Sequence, residues 1–296
     1  MSAHCSSKPS LHTLNGLAGL LHGLQALAAL FVTVYTEDLA PVKLRTFTLY
    51  QPLANVTKFA YEETLVSENF GRIGYFCVAF FFLSAAFHAC AFVGRVAYEA
   101  NIERHINPLR WYEYALSSSI MIVAIQLLVG CTDVYTLLVS FALNAAMNFC
   151  GLWMERLNAK SSYQHIGAPQ RGNGSPQTTT YSWEKWEPFV VGSVLGVVPW
   201  IVVFSYFGQS AALIPEEVRP FVYGAVWSYF GLFLVFPVNM VWQYWSSPDT
   251  NQSSRTNDNT RYRMGERNYI LLSLVAKTVL AWLILVGGMR GEEADF

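Results

Sequence analysis

Apolar positions in this chain fall into long blocks rather than short periodic stripes. Seven such blocks, at about 14–35, 73–97, 108–131, 134–154, 187–207, 220–244 and 269–289, are long enough to cross a bilayer core of ~30 Å as helices. Only Thr132 and Asp133 separate the third from the fourth, which predicts a tight antiparallel helix pair. Between the first two blocks, residues 36–70 alternate in a strand-like way in LRTFTLY (Leu44–Tyr50) and NVTKFAY (Asn55–Tyr61), with Gln51–Ala54 as the turn. That pattern predicts a β-hairpin on the membrane surface. Residues 155–185 and 245–267 are rich in Ser, Thr, Asn, Gly and Gln and are expected to be flexible loops. The expected fold is therefore an all-α membrane protein, a single seven-helix transmembrane domain in the lipid bilayer with one small hairpin.

Composition narrows the class. The chain is 53% hydrophobic and only 13% charged, as membrane proteins are. A net charge of −1 without a basic stripe excludes nucleic acid as a partner. The cysteines (Cys5, Cys77, Cys90, Cys131, Cys150) lack metal-site spacing, and four lie in or beside apolar blocks, so packing is expected of them. Nothing in Met1–Thr13 resembles a cleavable signal.

Lysine and arginine set the orientation. Outside the last block, twelve fall on the side of the N-terminus and six on the other. The positive-inside rule then puts the N-terminus in the cytoplasm, the C-terminus and the hairpin outside, and the two polar loops inside. Asn55-Val56-Thr57 becomes a possible extracellular glycan acceptor.

Within the blocks the ionisable residues are few: His22, His88, Glu113 and Lys277. Lys277 interrupts an otherwise uncharged run about eight residues in, roughly 12 Å from the nearer end. That is too deep for simple snorkelling. An ammonium there needs a partner, a polar cavity or a covalent modification. By helical rise all four residues fall ~5–14 Å deep in the half of the membrane nearer the N-terminus. One shared layer is what a common site produces, although each histidine also has a local reading, satisfied by backbone or hydroxyl. For Glu113 and Lys277 the unpaired arrangement is the more costly one. Ser273 shares the lysine's face one turn away, Ser117 shares that of Glu113, and Arg110 lies three residues before Glu113 on the same face. Ser118 and Ser119 read as small residues for helix packing.

Seven spans, a lysine within the last and a carboxylate early in the third describe a retinal-binding opsin, a seven-transmembrane-helix bundle of rhodopsin type. More narrowly, NPLRWYEYALSSSIM (Asn107–Met121), FFLSAAFHA (Phe81–Ala89), LHGLQ (Leu21–Gln25) and LSLVAKTVLAW (Leu272–Trp282) resemble the heliorhodopsins. The inward N-terminus is what that family implies. The resemblance further implies all-trans retinal held covalently on Lys277 as a protonated Schiff base, with Glu113 as counterion. His22, His88, Ser117, Ser273 and Arg110 would form the Schiff-base proton network. Trp227, Tyr229, Phe230 and Phe233 would line the polyene. A homodimer is implied by the family alone, and the cytoplasmic loops leave room for a signalling partner. Proton-pumping rhodopsins, which share the Arg110/Glu113 spacing, carry a second carboxylate eleven residues on and an aspartate four before the lysine. Here those positions are Ala124 and Ser273, which argues against pumping.

The expected function is a photoreceptor, not an enzyme. Light would move the Schiff-base proton relative to Glu113 and onto a His22–His88 cluster, with a slow photocycle and no net ion transport. The alternative is a light-gated proton or ion conductor, with Glu187, Glu113 and Arg110 along the path, and the apolar outer half speaks against it. A seven-span receptor or enzyme with a bare lysine is the third class.

Overall fold

The computed structural model describes residues 10–36, 41–50, 60–167, 185–210, 219–245 and 252–289. Its elements are α1 (Leu11–Tyr35), β1 (Leu44–Tyr50), β2 (Ala60–Ser67), α2 (Gly74–Val93), α3 (Arg95–Glu103), α4 (Pro108–Leu128), α5 (Val134–Gly167), α6 (Glu187–Ser210), α7 (Arg219–Tyr244) and α8 (Gln252–Met289). All the helices but α3 contain a stretch long and apolar enough to cross a membrane, giving seven spans among the described residues. They form a bundle in which α8 packs against α1, α2 and α7, and α4 packs against α2, α5 and α6.

Local chemistry sets the ends. Asn107 caps α4 by accepting the Arg110 N–H at 3.3 Å, and Pro108 follows at the first helical position, where its missing N–H costs nothing. At the other end Gly130 takes φ 93°, which a side chain resists, and turns the chain into α5. Asp133 starts α5 by accepting the Thr136 N–H at 2.8 Å. The predicted tight α4–α5 pair is present. Arg72 donates to the Thr33 and Thr36 carbonyls at 2.8 Å each, satisfying acceptors that the end of α1 leaves open.

Three expectations shift. The second span ends at Val93, where Gly94 breaks the helix before the separate α3, instead of running to residue 97. The hairpin forms, and its second strand is described over Ala60–Ser67, running past the expected end at Tyr61, with Thr48 opposite Glu62. The expected turn and the rest of that strand, residues 51–59, lie outside the described residues. Glu62 and Glu63 hid that strand from the apolar pattern, yet Arg45 pairs with Glu63 at 2.8 Å across the two strands. The segments expected as loops are partly helical. From 155 onward α5 continues to Gly167, and α8 already begins at Gln252. Buried partners of Glu155, Tyr262 and Glu266, described below, pull those polar turns into the bundle. Residues 55–57 lie outside the described residues.

The bundle's outer surface is apolar, and its buried polar residues are gathered inside. Leu20, Phe31, Phe82 and Val194 are each more than 60% exposed, toward where lipid would be, while His22, Ser84, Glu113, Gln126, Glu155, Glu266 and Lys277 are buried. Cys77 and Cys131 are buried packing residues and Cys90 is exposed; among the described residues the cysteines are free, and Cys5 lies outside them.

Candidate functional site

Lys277 enters the core from the middle of α8 and is 3% exposed. Its Nζ donates to Glu113 Oε1 at 2.7 Å and to Ser273 Oγ at 2.6 Å. Glu113 belongs to α4, and the same Oε1 accepts from Ser84 Oγ of α2 at 2.6 Å and from Ser117 Oγ at 3.1 Å. Helical geometry makes this possible: Ser273 and Ser117 each sit four residues from the group they serve, on the same face. An isolated buried charge would be prohibitive, but this pair is matched and hydrogen-bonded.

His22 of α1 and His88 of α2 lie alongside. Their rings stack at 5.6 Å between centroids with 13° between planes, and both are within electrostatic reach of Glu113 and Lys277. Asn15 holds His88 Nδ1 at 2.8 Å. Neither His22 nitrogen has a hydrogen-bond partner among the described residues. The local reading, a backbone or hydroxyl partner, is therefore met by neither histidine among the described residues, since the partner of His88 is a side-chain amide from α1.

Against Lys277 lies a cavity of about 260 Å³ between α4, α5, α6, α7 and α8. Its walls include Tyr114, Met121, Ile122, Trp200, Tyr229, Phe233, Phe236 and Tyr269, with Ser273 and Lys277 at the polar end. Gly151, Gly192 and Gly196 line the same space, and a Cβ on Gly151 would strike the Trp111 ring. The lining is mostly apolar and reaches the Lys277 amine, which suits an apolar ligand joined to that amine.

Of the four span-six aromatics, Tyr229 and Phe233 line the cavity. Trp227 does not: it is 55% exposed and packs on Phe204 at 5.3 Å on the outer surface. Phe230 is likewise absent from the wall and packs behind it, 5.1 Å from Trp200. Helical rotation accounts for the split, because 227 and 230 share a face that 229 and 233 do not.

Arg110 also departs from expectation. Although on the Glu113 face, its guanidinium turns away, to Glu155 Oε1 of α5 at 2.9 Å and to Glu266 of α8. Glu155 additionally accepts from the Trp111 indole (2.7 Å), the Tyr262 and Tyr244 hydroxyls (2.8 and 3.2 Å) and the Asn107 N–H (2.9 Å). Asn107 Nδ2 bonds Glu266 at 2.7 Å. This second buried ionic cluster is missing from the sequence-based site. Its carboxylates sit among arginines and polar residues in the sequence and read as loop. Ser84 was findable: it lies four residues before His88 and shares its face.

A sequence profile of the heliorhodopsin family matches residues 11–289. Among solved structures, the light-driven proton pump LR (Mac) from Leptosphaeria maculans superposes with a TM-score of 0.60 at 12% identity, covering 98% of each chain. The Exiguobacterium sibiricum rhodopsin gives a TM-score of 0.51 at 9% identity, over 92% of this chain and 96% of that one. At such identities the likeness is one of fold. No curated protein sequence matches.

Proposed function

The chain belongs to the heliorhodopsin family, whose members are retinal proteins, and from that premise we propose that it is a light sensor with all-trans retinal on Lys277 and Glu113 as counterion. The observation carrying this reading is the Lys277–Glu113 pair, 2.7 Å apart, at the mouth of a 260 Å³ apolar cavity. Bound there, retinal supplies light absorption, isomerisation and a cationic nitrogen at Nζ.

The protein's residues do the rest. Glu113 balances the cation, while Ser84 and Ser117 hold its oxygen in place. Ser273 keeps the nitrogen aimed at Glu113. Trp200, Tyr229 and Phe233 confine the chain of the ligand. When the geometry at Nζ changes, Glu113 is the nearest acceptor for its proton, and the His22–His88 pair can store it, since imidazole titrates near neutrality. The N-terminus lies in the cytoplasm by the lysine and arginine bias, so the stored proton stays on the cytoplasmic side. Output passes through that face, to a signalling partner or across a homodimer.

Conduction is disfavoured by the half of the bundle nearer the hairpin. Phe80, Ile125, Leu280, Ile284 and Leu285 fill it, Gln126 Nε2 is tied to Ser140 and the Pro199 carbonyl, and Thr33 bonds its own helix. Expression with all-trans retinal, recording absorbance and light-driven current for wild type and Lys277→Ala, tests the reading. Visible absorbance in wild type alone and no current are expected. A light-dependent current that scales with voltage would favour the conductor.

A further inference from the structure

Glu113 and Arg110 are one turn apart on α4, and between their two sites lies a small gap of about 30 Å³. Asn15, His88, Tyr98, Arg110, Glu113 and Glu266 line it. Such a gap has the size of ~2 water molecules. His88 Nε2 and Arg110 Nε, on residues 8% and 7% exposed, have no hydrogen-bond partner among the described residues. Buried polar atoms are rarely left so, and water bridging is the usual remedy.

The two carboxylates at the far side are not equivalent. Glu155 is saturated by Arg110, Asn107, Trp111, Tyr244 and Tyr262 and does not line the gap. Glu266 lines it and accepts only from Arg110, Asn107 and Gln243 among the described residues. The pair shares one guanidinium, leaving an unbalanced negative charge in a poorly polarisable interior. A proton arriving on Glu266 removes that excess.

We propose that Glu266 is the terminal holder of the proton released at Lys277, reached from Glu113 and His88 through water in this gap. The proposal rests on the retinal reading above. One N–H bond at the Lys277 nitrogen breaks, and one O–H bond forms on the Glu266 carboxylate. Each relay group passes one proton on and returns to its starting charge. Glu266 precedes Lys277 by eleven residues, so the proton moves about 16 Å along α8. Neutral Glu266 releases Arg110, which stays on Glu155. The start of α8 thereby loses its ionic tie to α4, and light at Lys277 reaches the end of the bundle where α5 and α8 run on beyond their apolar stretches.

The test is light-induced difference infrared spectroscopy on the full-length, retinal-loaded protein in its slow deprotonated state. A protonated-carboxyl band is expected that disappears in Glu266→Gln, shifts in Glu266→Asp and persists in Glu155→Gln. A high-resolution structure of the retinal-free protein should show ordered water between Glu113 and Glu266. A band unchanged in Glu266→Gln, or a gap closed by side chains, overturns the proposal. If Glu266→Gln does not fold, an unmoved band in Glu266→Asp overturns it equally. Failure of the underlying reading is seen earlier and separately, as wild type that gains no visible absorbance with retinal.

Discussion

Two buried ionic sites sit one turn apart on α4, and they are built differently. At Glu113, a single oxygen gathers Lys277, Ser84 and Ser117 next to a large apolar cavity. At Arg110, two carboxylates, three aromatic donors and an asparagine knit α4, α5, α7 and α8 together, with Trp111 and Tyr269 rings against the guanidinium at 4.6 and 3.9 Å. The first site can change its charge and its partner without dismantling a helix contact. The second cannot lose its cation without stranding two carboxylates. One is where a proton is released, and the other holds the helices around it and offers, at Glu266, a place for that proton to end.

Substitutions separate the two roles. Lys277→Ala has the largest effect: complete loss of visible absorbance after addition of retinal, with a folded protein by circular dichroism. Arg110→Gln should instead cost about 3–5 kcal/mol in stability, because both carboxylates are left buried without a cation. Unfolding in mild detergent measures it, and a loss below ~1 kcal/mol would erase the contrast. Ser84→Ala removes one charge-assisted hydrogen bond, worth about 1.5–3 kcal/mol, from the counterion. It should move the absorption maximum and leave retinal binding intact. The smallest effect is expected at Trp227, on the outer surface: Trp227→Leu should leave the maximum in place, whereas Trp200→Phe, in the cavity wall, should move it.

Sequence carried the architecture well because apolar block length maps directly onto membrane thickness. It also carried the core of the site, since Lys277, Glu113, Ser273 and Ser117 follow from depth and from four-residue spacing on one face. The face of α7 was not legible. An all-apolar helix gives no moment to tell Phe233, in the wall, from Trp227, on the lipid side. Arg110 misled for another reason. Sharing a face with Glu113 fixes a direction, but a long side chain goes to whichever partners are within reach. Glu155 and Glu266 are brought there by helices that begin or end in polar sequence. The second hairpin strand was hidden in the same way by its acidic residues, one of which, Glu63, pairs diagonally with Arg45 of the first strand.

Central to the account is the claim that Glu113 balances a cation at the Lys277 nitrogen. The absorption spectrum of Glu113→Gln reconstituted with all-trans retinal tests it most directly. The account predicts a displaced band, either shifted within the visible or moved to the near ultraviolet by loss of the nitrogen's proton. A spectrum indistinguishable from wild type, with the nitrogen still protonated, would contradict it.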